Sequence, residues 1–132
     1  MKLMDSFKIF TNNPLVQAKH PEAAVFLEGG AESLLYSVRD KVHLGAVILS
    51  HPLSGGVLPG RTPYKSLILS DMADIGQPRT DFDSLNLIEN ALMALKKTPV
   101  GFVSYDEKTL EDFQVLDLDL VDSALDSITN IY

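Results

Sequence analysis

Residues 50–65 form a polar connection that constrains the fold of this chain more than any other stretch. The connection separates two short apolar runs, 46–49 and 67–69, which are typical of buried strands, and it has no helical pattern of its own. Connections between neighbouring elements usually have about four to six residues, and longer ones without a helix are usually functional or disordered. Because proline restricts the backbone, we expect an ordered and functional connection stiffened by Pro52, Pro59 and Pro63.

The composition is typical of one soluble domain. A chain of 132 residues with 45% hydrophobic and 22% charged residues can bury a core without a second domain. It has no cysteine, so disulfides, thiolate nucleophiles and thiolate metal ligands are excluded. No apolar run is long enough to span a bilayer, and residues 1–6 lack the apolar segment of a secretory signal. We therefore expect a cytoplasmic protein that does not bind membranes.

The charge of the chain is unevenly distributed. Residues 106–132 contain eight acidic side chains and one basic side chain, which accounts for the whole net charge of −7. Such a chain, without a clustered basic face, does not favour nucleic-acid binding, which depends on neutralising many phosphates. Residues 41–70, in contrast, contain Lys41, Arg61 and Lys65 and no carboxylate. The central connection is therefore locally positive, and we expect its partner to be a small anionic ligand.

Strand and helix patterns alternate along the first 105 residues. Asn13 followed by Pro14 predicts a helix start, because Asn13 can accept a hydrogen bond from an unpaired backbone N–H and Pro14 suits the first helical position. The predicted elements are a strand at 7–11, a helix at 15–19, a strand at 23–28 ended by Gly29 and Gly30, a helix at 31–43, strands at 46–49 and 67–69, a helix capped by Thr80 or Asp81 and stopped by Pro99, and a strand at 100–105.

The acidic tail, residues 106–132, has two competing patterns. Residues 116–120 alternate like a strand, whereas Leu118, Val121, Leu125 and Ile128 fall on one face of a helix. The helical pattern is the longer one, and acidic residues in a first turn complement the helix dipole. We therefore predict a short helix over 106–113 and a second helix from Asp117.

These elements predict an α/β protein. Strands that alternate with helices favour parallel pairing, because a parallel connection needs a crossover. We therefore expect a single three-layer α/β domain over residues 1–132, with a mainly parallel sheet of about five strands and an acidic helical C-terminal segment. The connection before 67–69 has no helix, so that strand is expected to be antiparallel or at an edge.

Ligands of open α/β sheets bind beyond the carboxyl ends of the strands. Polar residues follow the first three predicted strands, and glycines of the central connection can bring backbone N–H groups close to an anion. The predicted ligand-binding residues are Thr11, Asn12, Asn13, Glu28, His51, Ser54, Gly55, Gly56, Arg61, Thr62, Tyr64 and Lys65. The alternative is structural, because Asn13 can simply cap a helix, glycines can turn the chain, and Arg61 and Lys65 can be solvated or paired at the surface.

No cofactor or metal is predicted. The glycines of the central connection lack the spacing of a phosphate-binding P-loop, and Gly29-Gly30 is not a dinucleotide fingerprint. The three histidines, His20, His43 and His51, belong to different elements and are not spaced as metal ligands.

Two residues are candidates for catalysis. His51 is the only plausible general base in the central connection, and Ser54 is close to it in the sequence. A nucleophilic serine also needs an oriented histidine and an oxyanion site, and the sequence does not identify these. The alternative for His51 is a ring that bonds the neighbouring backbone.

The chain resembles the GrdX family of small proteins. The resemblance covers about residues 7–97, is most specific in the central connection, and becomes weak in the acidic tail; residues 72–80 depart from the family pattern. The residues that carry it are 11–16, 51–55 through Pro59, 62–66, 83–85 and 88–90. It implies an accessory protein associated with the glycine, sarcosine or betaine reductase systems of amino-acid-fermenting anaerobic bacteria, and it assigns no catalytic residue.

Three hypotheses follow. The first, which we favour, is an accessory protein without catalytic activity of its own that binds a small carboxylate or phosphate compound under the 50–65 connection. The second is a small enzyme that uses His51 as acid or base. The third is an interaction scaffold whose acidic tail contacts reductase subunits or a second copy of the chain, the alternative being an ordinary solvated helix face.

Overall fold

The computed structural model describes residues 7–50, 62–70, 80–97 and 105–131. The elements in chain order are β1 (Phe7–Thr11), α1 (Pro14–Lys19), β2 (Ala24–Phe26), α2 (Ala31–His43), β3 (Ser66–Ser70), α3 (Phe82–Lys97) and α4 (Glu107–Ile131). The predicted α/β class is confirmed. The bounds of α2 agree with the prediction, because its apolar positions Leu34, Leu35, Val38 and Val42 are all buried at helical spacing.

The sheet of the described residues has three strands in the order β2-β1-β3. β1 is parallel to β2 and antiparallel to β3, so the sheet is mixed. The antiparallel direction agrees with the expectation for residues 67–69, because no helical crossover precedes β3. In the β1–β3 register Phe10 lies opposite Leu67, Ile9 opposite Ile68, and Thr11 opposite Ser66.

Residues 46–49 are not the central strand that their apolar character predicts. They contact β3 through an isolated antiparallel bridge between Ile48 and Leu69. Two backbone bonds hold this bridge, from Leu49 N–H to the Ile68 carbonyl at 2.7 Å and from Ser70 N–H to the Val47 carbonyl at 2.8 Å. Two other amides donate to side-chain hydroxyls instead of strand carbonyls, Val47 N–H to Ser70 Oγ and Ile48 N–H to Ser84 Oγ. The pairing is therefore short.

The mainly parallel, five-stranded, three-layer arrangement is not confirmed. Of the predicted fifth strand, 100–105, residues 100–104 lie outside the described residues, and Tyr105 is not in a strand. The described sheet has one parallel and one antiparallel pair of strands.

Alternate strand residues pack into two separate core clusters. Phe10, Leu67 and Leu69 belong to the cluster formed with α2 and α3. Phe7, Ile9 and Ile68 belong to the cluster formed with α1 and α4. This division follows from the period of two in a strand, which points neighbouring side chains to opposite faces of the sheet. Thr11 and Ser66 continue the second set, so they face α4.

The helix starts follow the sequence signals. Asn13 caps α1 by accepting from Leu15 N–H, and Pro14 is the first helical residue. Asp81, rather than Thr80, caps α3 by accepting from Ser84 N–H at 3.1 Å.

The acidic tail forms one helix, Glu107–Ile131, so the prediction of two helices is wrong. Asp106 caps it through a hydrogen bond from Thr109 N–H at 2.8 Å. The stretch between the two predicted helices contains neither glycine nor proline, so no residue interrupts the helical hydrogen bonds. Across 7–50, 62–70, 80–97 and 105–131, no helix combines the length and the apolar character that crossing a membrane requires.

Candidate functional site

The polar residues at the carboxyl end of β1 are buried. Thr11 and Asn13 are fully buried and Asn12 is 6% exposed. The Thr11 and Ser66 hydroxyls, which lie opposite each other in the β1–β3 register, are hydrogen-bonded at 2.7 Å. The Thr11 hydroxyl also accepts from Asn13 N–H at 2.9 Å. The last residue of β1 and the first residue of β3 are therefore joined by side chains as well as by backbone.

Asn12 joins the ends of three segments. Its amide nitrogen Nδ2 donates to the Gly29 carbonyl at 2.9 Å and to the Pro63 carbonyl at 3.0 Å. Its amide oxygen Oδ1 accepts from Lys65 N–H at 2.8 Å. Gly29 has a φ of 116°, in the left-handed region that glycine favours. Asn12 therefore holds the turn after β2 and the end of the central connection in one place.

Asn13 links the start of α1 to the middle of α4. While its Oδ1 accepts from Leu15 N–H, its Nδ2 donates to the Gln114 carbonyl and to the Asp117 carboxylate oxygen Oδ2, both at 3.0 Å. Asn13 therefore bonds to α4 in addition to making the capping contact that the sequence suggests.

Asp117 is a buried acid within the apolar side of α4, and it is 7% exposed. Its Oδ2 accepts from the Ser66 hydroxyl at 2.7 Å as well as from Asn13. Burial raises the pKa of Asp117, and the hydrogen bonds from Ser66 and Asn13 and the charge of Lys65 oppose that rise. Asp117 is thus the acceptor for the first residue of β3 and for the cap of α1.

Lys65 is the residue before β3, and its side chain is partly buried. Burial lowers the pKa of the Lys65 ammonium, while the charge of Asp117 acts in the opposite direction. The hydroxyl of the neighbouring Tyr64 accepts from Gln114 Nε2 at 2.9 Å. This bond joins the end of the central connection to α4, next to the bond between Ser66 and Asp117. Thr62 is hydrogen-bonded to the backbone of Tyr64.

An open cavity of ≈ 370 Å³ lies between α4 and the start of β3. Its apolar lining is formed by Leu49, Ile68, Leu120, Val121, Ala124 and Ile128, and its polar lining by Ser50, Lys65, Ser66, Asp117, Ser123 and Ser127. The cavity therefore has one wall of apolar residues from α4 and β3 and one end where Lys65, Ser66 and Asp117 meet.

The predicted site residues divide into three groups. Thr11, Asn12 and Asn13 lie at the carboxyl end of β1, where Asn12 bonds to Pro63 and Lys65, and Lys65 also lines the cavity. Thr62 and Tyr64 belong to the same end of the central connection. Glu28 is exposed on the turn after β2. His51, Ser54, Gly55, Gly56 and Arg61 lie outside the described residues. For every one of these residues a ligand-binding role stays a prediction.

Three residues of this arrangement were not predicted as site residues, namely Ser66, Gln114 and Asp117. Asp117 has a signal in the sequence, because it lies on the same helical face as Val121, Ala124 and Ile128. A carboxylate within an apolar helical stripe indicates a buried polar contact. Ser66 and Gln114 have no comparable signal, because their partners are set by the packing of α4. Among the residues that the structure describes, no group of three or more acidic or histidine side chains could hold a metal ion.

These features define a small α/β domain with a mixed sheet, a buried polar network at the carboxyl end of β1 and an adjoining open cavity. A family model described as GrdX-like protein matches residues 8–126, and the chain belongs to this family. The match extends through most of α4, well beyond the part of the chain that carries the sequence resemblance. Comparison with curated proteins found no match, and neither did comparison with solved structures.

Proposed function

We propose that this chain is a ligand-binding accessory protein of a glycine, sarcosine or betaine reductase-type system, and that its cavity binds the anionic group of a small carboxylate or phosphate compound. The proposal has two parts, a chemical one that concerns Lys65 and a cellular one that concerns the reductase. Each part has its own experiment.

The presence of Lys65 in the lining of the cavity is the observation that carries the chemical part. A lysine that is partly removed from water and whose pKa is lowered by burial holds its charge at a cost in free energy. In the described part of the chain, the ion pairs shorter than 4.0 Å join other residues, and no carboxylate lies within that distance of the Lys65 ammonium. An anion in the cavity would supply the missing partner.

The hydroxyls around the cavity support the same chemistry. Ser50 and Ser66 line the cavity beside Lys65, and hydroxyl groups can donate to carboxylate or phosphate oxygens. Ser66 donates its proton to Asp117, whereas Ser50 accepts from Ile68 N–H, so Ser50 is the better hydrogen-bond donor of the two for a ligand.

The anion proposal is tested by titration calorimetry with propionate and inorganic phosphate. The wild-type chain is expected to bind at least one of them, and Lys65→Met is expected to abolish that binding. Lys41→Met is the matched control, because Lys41 is exposed on α2, which packs on the other core cluster. Absence of binding to both anions, or equal binding by Lys65→Met, would overturn this part.

Membership of the GrdX-like family supports the cellular part. It is tested by copurification of the tagged chain with the purified subunits of the reductase. The apolar residues Val121 and Ile128 of α4 are buried within their own chain, so a partner would meet the exposed side of this helix, which carries acidic residues together with Val115 and Leu116. A double variant, Glu111→Gln with Asp119→Asn, separates the two parts of the proposal, since these exposed residues lie outside the cavity lining. If the acidic side is the contact, the double variant is expected to lose copurification and to keep its anion binding. Failure of the wild-type chain to copurify with the reductase would overturn the cellular part alone.

A further inference from the structure

Two opposite charges face the same cavity without touching. Lys65 and Asp117 both line the space between α4 and β3, and Ser66, the neighbour of Lys65 in the sequence, donates to Asp117 at 2.7 Å. Among the described residues, no carboxylate is within the 4.0 Å of an ion pair from the Lys65 ammonium. The two charges influence each other through space, as the opposing effects on their pKa values indicate. The cavity therefore presents one positive and one negative group at one end.

This arrangement restricts the charge of a ligand. A simple anion next to Lys65 would bring a second negative charge close to the Asp117 carboxylate, and the repulsion between like charges in a partly desolvated site would make that anion bind weakly. A simple cation next to Asp117 would be repelled in the same way by the positive charge of the Lys65 ammonium. A ligand with a negative and a positive group a few bonds apart can pair with both residues at once.

The rest of the lining restricts the shape of the ligand. Leu49, Ile68, Val121 and Ile128 form an apolar wall that continues from the charged end. A volume of ≈ 370 Å³ corresponds to roughly twelve water molecules at their share of liquid volume, which is more than a ligand of two or three carbon atoms displaces. An aliphatic group on the ligand would cover this wall and remove it from water.

We propose that the cavity binds a zwitterion with an aliphatic chain, of the class of the branched aliphatic α-amino acids. The ligand carboxylate lies at Lys65, the ligand ammonium lies at Asp117, and the side chain lies against Ile68, Val121 and Ile128. The inference rests on the proposed function, because it places the anionic group of the ligand at the same lysine, and it adds a cationic group and an aliphatic chain.

The test compares ligands that share a branched chain and differ in charge. L-Leucine has both charged groups, 4-methylpentanoate lacks the ammonium group, and 3-methylbutylamine lacks the carboxylate. By titration calorimetry, leucine is expected to bind at least about tenfold more tightly than either analogue, because only leucine pairs with both residues. Glycine, which has both charges and no aliphatic chain, is expected to bind more weakly than leucine.

Three variants connect that preference to the residues. Asp117→Asn is expected to bind 4-methylpentanoate about as tightly as leucine, since the group that pairs with the ammonium is gone. Lys65→Met is expected to bind neither leucine nor 4-methylpentanoate. Asp119→Asn, an exposed neighbour on α4, is the control and is expected to behave like the wild-type chain. Circular dichroism of each variant verifies that the fold is intact.

The failures of the two proposals are distinguishable. If 4-methylpentanoate binds the wild-type chain as tightly as leucine, the zwitterion is excluded and the anion proposal stands. If glycine binds as tightly as leucine, the aliphatic chain is excluded. If leucine, 4-methylpentanoate, propionate and phosphate all fail to bind, both proposals are overturned.

Discussion

Asn13 and Asp117 are 104 positions apart in the sequence, and the Asn13 amide nitrogen donates to the Asp117 carboxylate at 3.0 Å inside the protein. This bond joins the first helix to the last described helix at the point where the sheet ends. Because Asp117 also accepts from Ser66, one carboxylate oxygen holds α1, β3 and α4 together. The candidate site is therefore also a structural junction.

Replacement of Asn13 by alanine is expected to reduce the free energy of unfolding by about 2 to 4 kcal/mol, because it removes a helix cap and leaves buried partners without a donor. Urea unfolding measures the change. Asn86→Ala is the matched control, since Asn86 is exposed on α3, and it is expected to change the free energy by less than about 0.5 kcal/mol. An equal effect of the two substitutions would contradict the role of Asn13.

Replacement of Asn12 by alanine is expected to loosen the segment just before β3. Lys65 N–H loses its acceptor, and the Gly29 and Pro63 carbonyls lose their shared donor. Amide hydrogen exchange should therefore become faster at Lys65 in this variant, because local opening no longer breaks a side-chain hydrogen bond. Asn90→Ala, at an exposed position of α3, should leave the Lys65 exchange rate unchanged. A Lys65 amide that stays equally protected in Asn12→Ala would contradict this prediction.

Asp117 is expected to make stability depend on pH in the direction opposite to that of a salt-bridged acid. Its pKa is raised by burial, so the folded chain binds a proton where the unfolded chain, with a pKa of about 3.9, has released it. Its contribution to the free energy of unfolding therefore falls as pH rises from about 3.9 to the raised folded value.

Asp117→Asn provides the comparison for this effect, since its amide oxygen can still accept from Ser66 and Asn13. Urea unfolding at a series of pH values is expected to show the wild-type chain losing stability relative to this variant as pH rises through that window. Asp119→Asn, at an exposed position of α4, should show no such trend. A difference between wild type and Asp117→Asn that stays constant or increases with pH would contradict the prediction.

Lys65→Met is expected to unfold with a free energy equal to or up to about 2 kcal/mol above that of the wild-type chain at neutral pH, because a partly buried charge is replaced by an apolar side chain of similar length. The pKa of Lys65 is lowered by burial, so the unfolded chain binds more protons between the lowered value and the ordinary value of about 10.4. The wild-type chain should therefore gain stability relative to the variant as pH rises through that range. A variant less stable than wild type by more than about 1 kcal/mol would show that Lys65 is structural.

Ser84→Ala is expected to destabilise the protein by about 1 to 3 kcal/mol, because the buried Ile48 N–H would lose its acceptor. The Ser84 hydroxyl also donates to Asp81 at 2.6 Å, so α3 would lose part of its cap. Thermal and urea unfolding measure the loss. Ser33→Ala, at an exposed position of α2, is the control and should have little effect.

The local elements were largely predictable because their signals are local. The bounds of α2 follow from apolar spacing, and the start of α1 follows from Asn13 and Pro14. Residues 46–49 were predicted incorrectly because an apolar run does not reveal that serine hydroxyls bind its amides. Of the residues that meet at the site, the sequence singled out those at the end of β1 and Lys65, but none of those on α4. Asp117 and Gln114 approach Asn13 through the packing of α4, and no spacing within the sequence encodes that distance.

The position of α4 has a consequence for biosynthesis. Asn13 and Ser66 leave the ribosome well before Asp117, so their shared acceptor is absent while the sheet is being made. Contacts between residues far apart in the sequence also form late, because closing a long loop costs entropy. The cavity between α4 and β3 is thus expected to assemble after α4 has been synthesised, and a chain interrupted before that helix would retain strands and helices without this cavity.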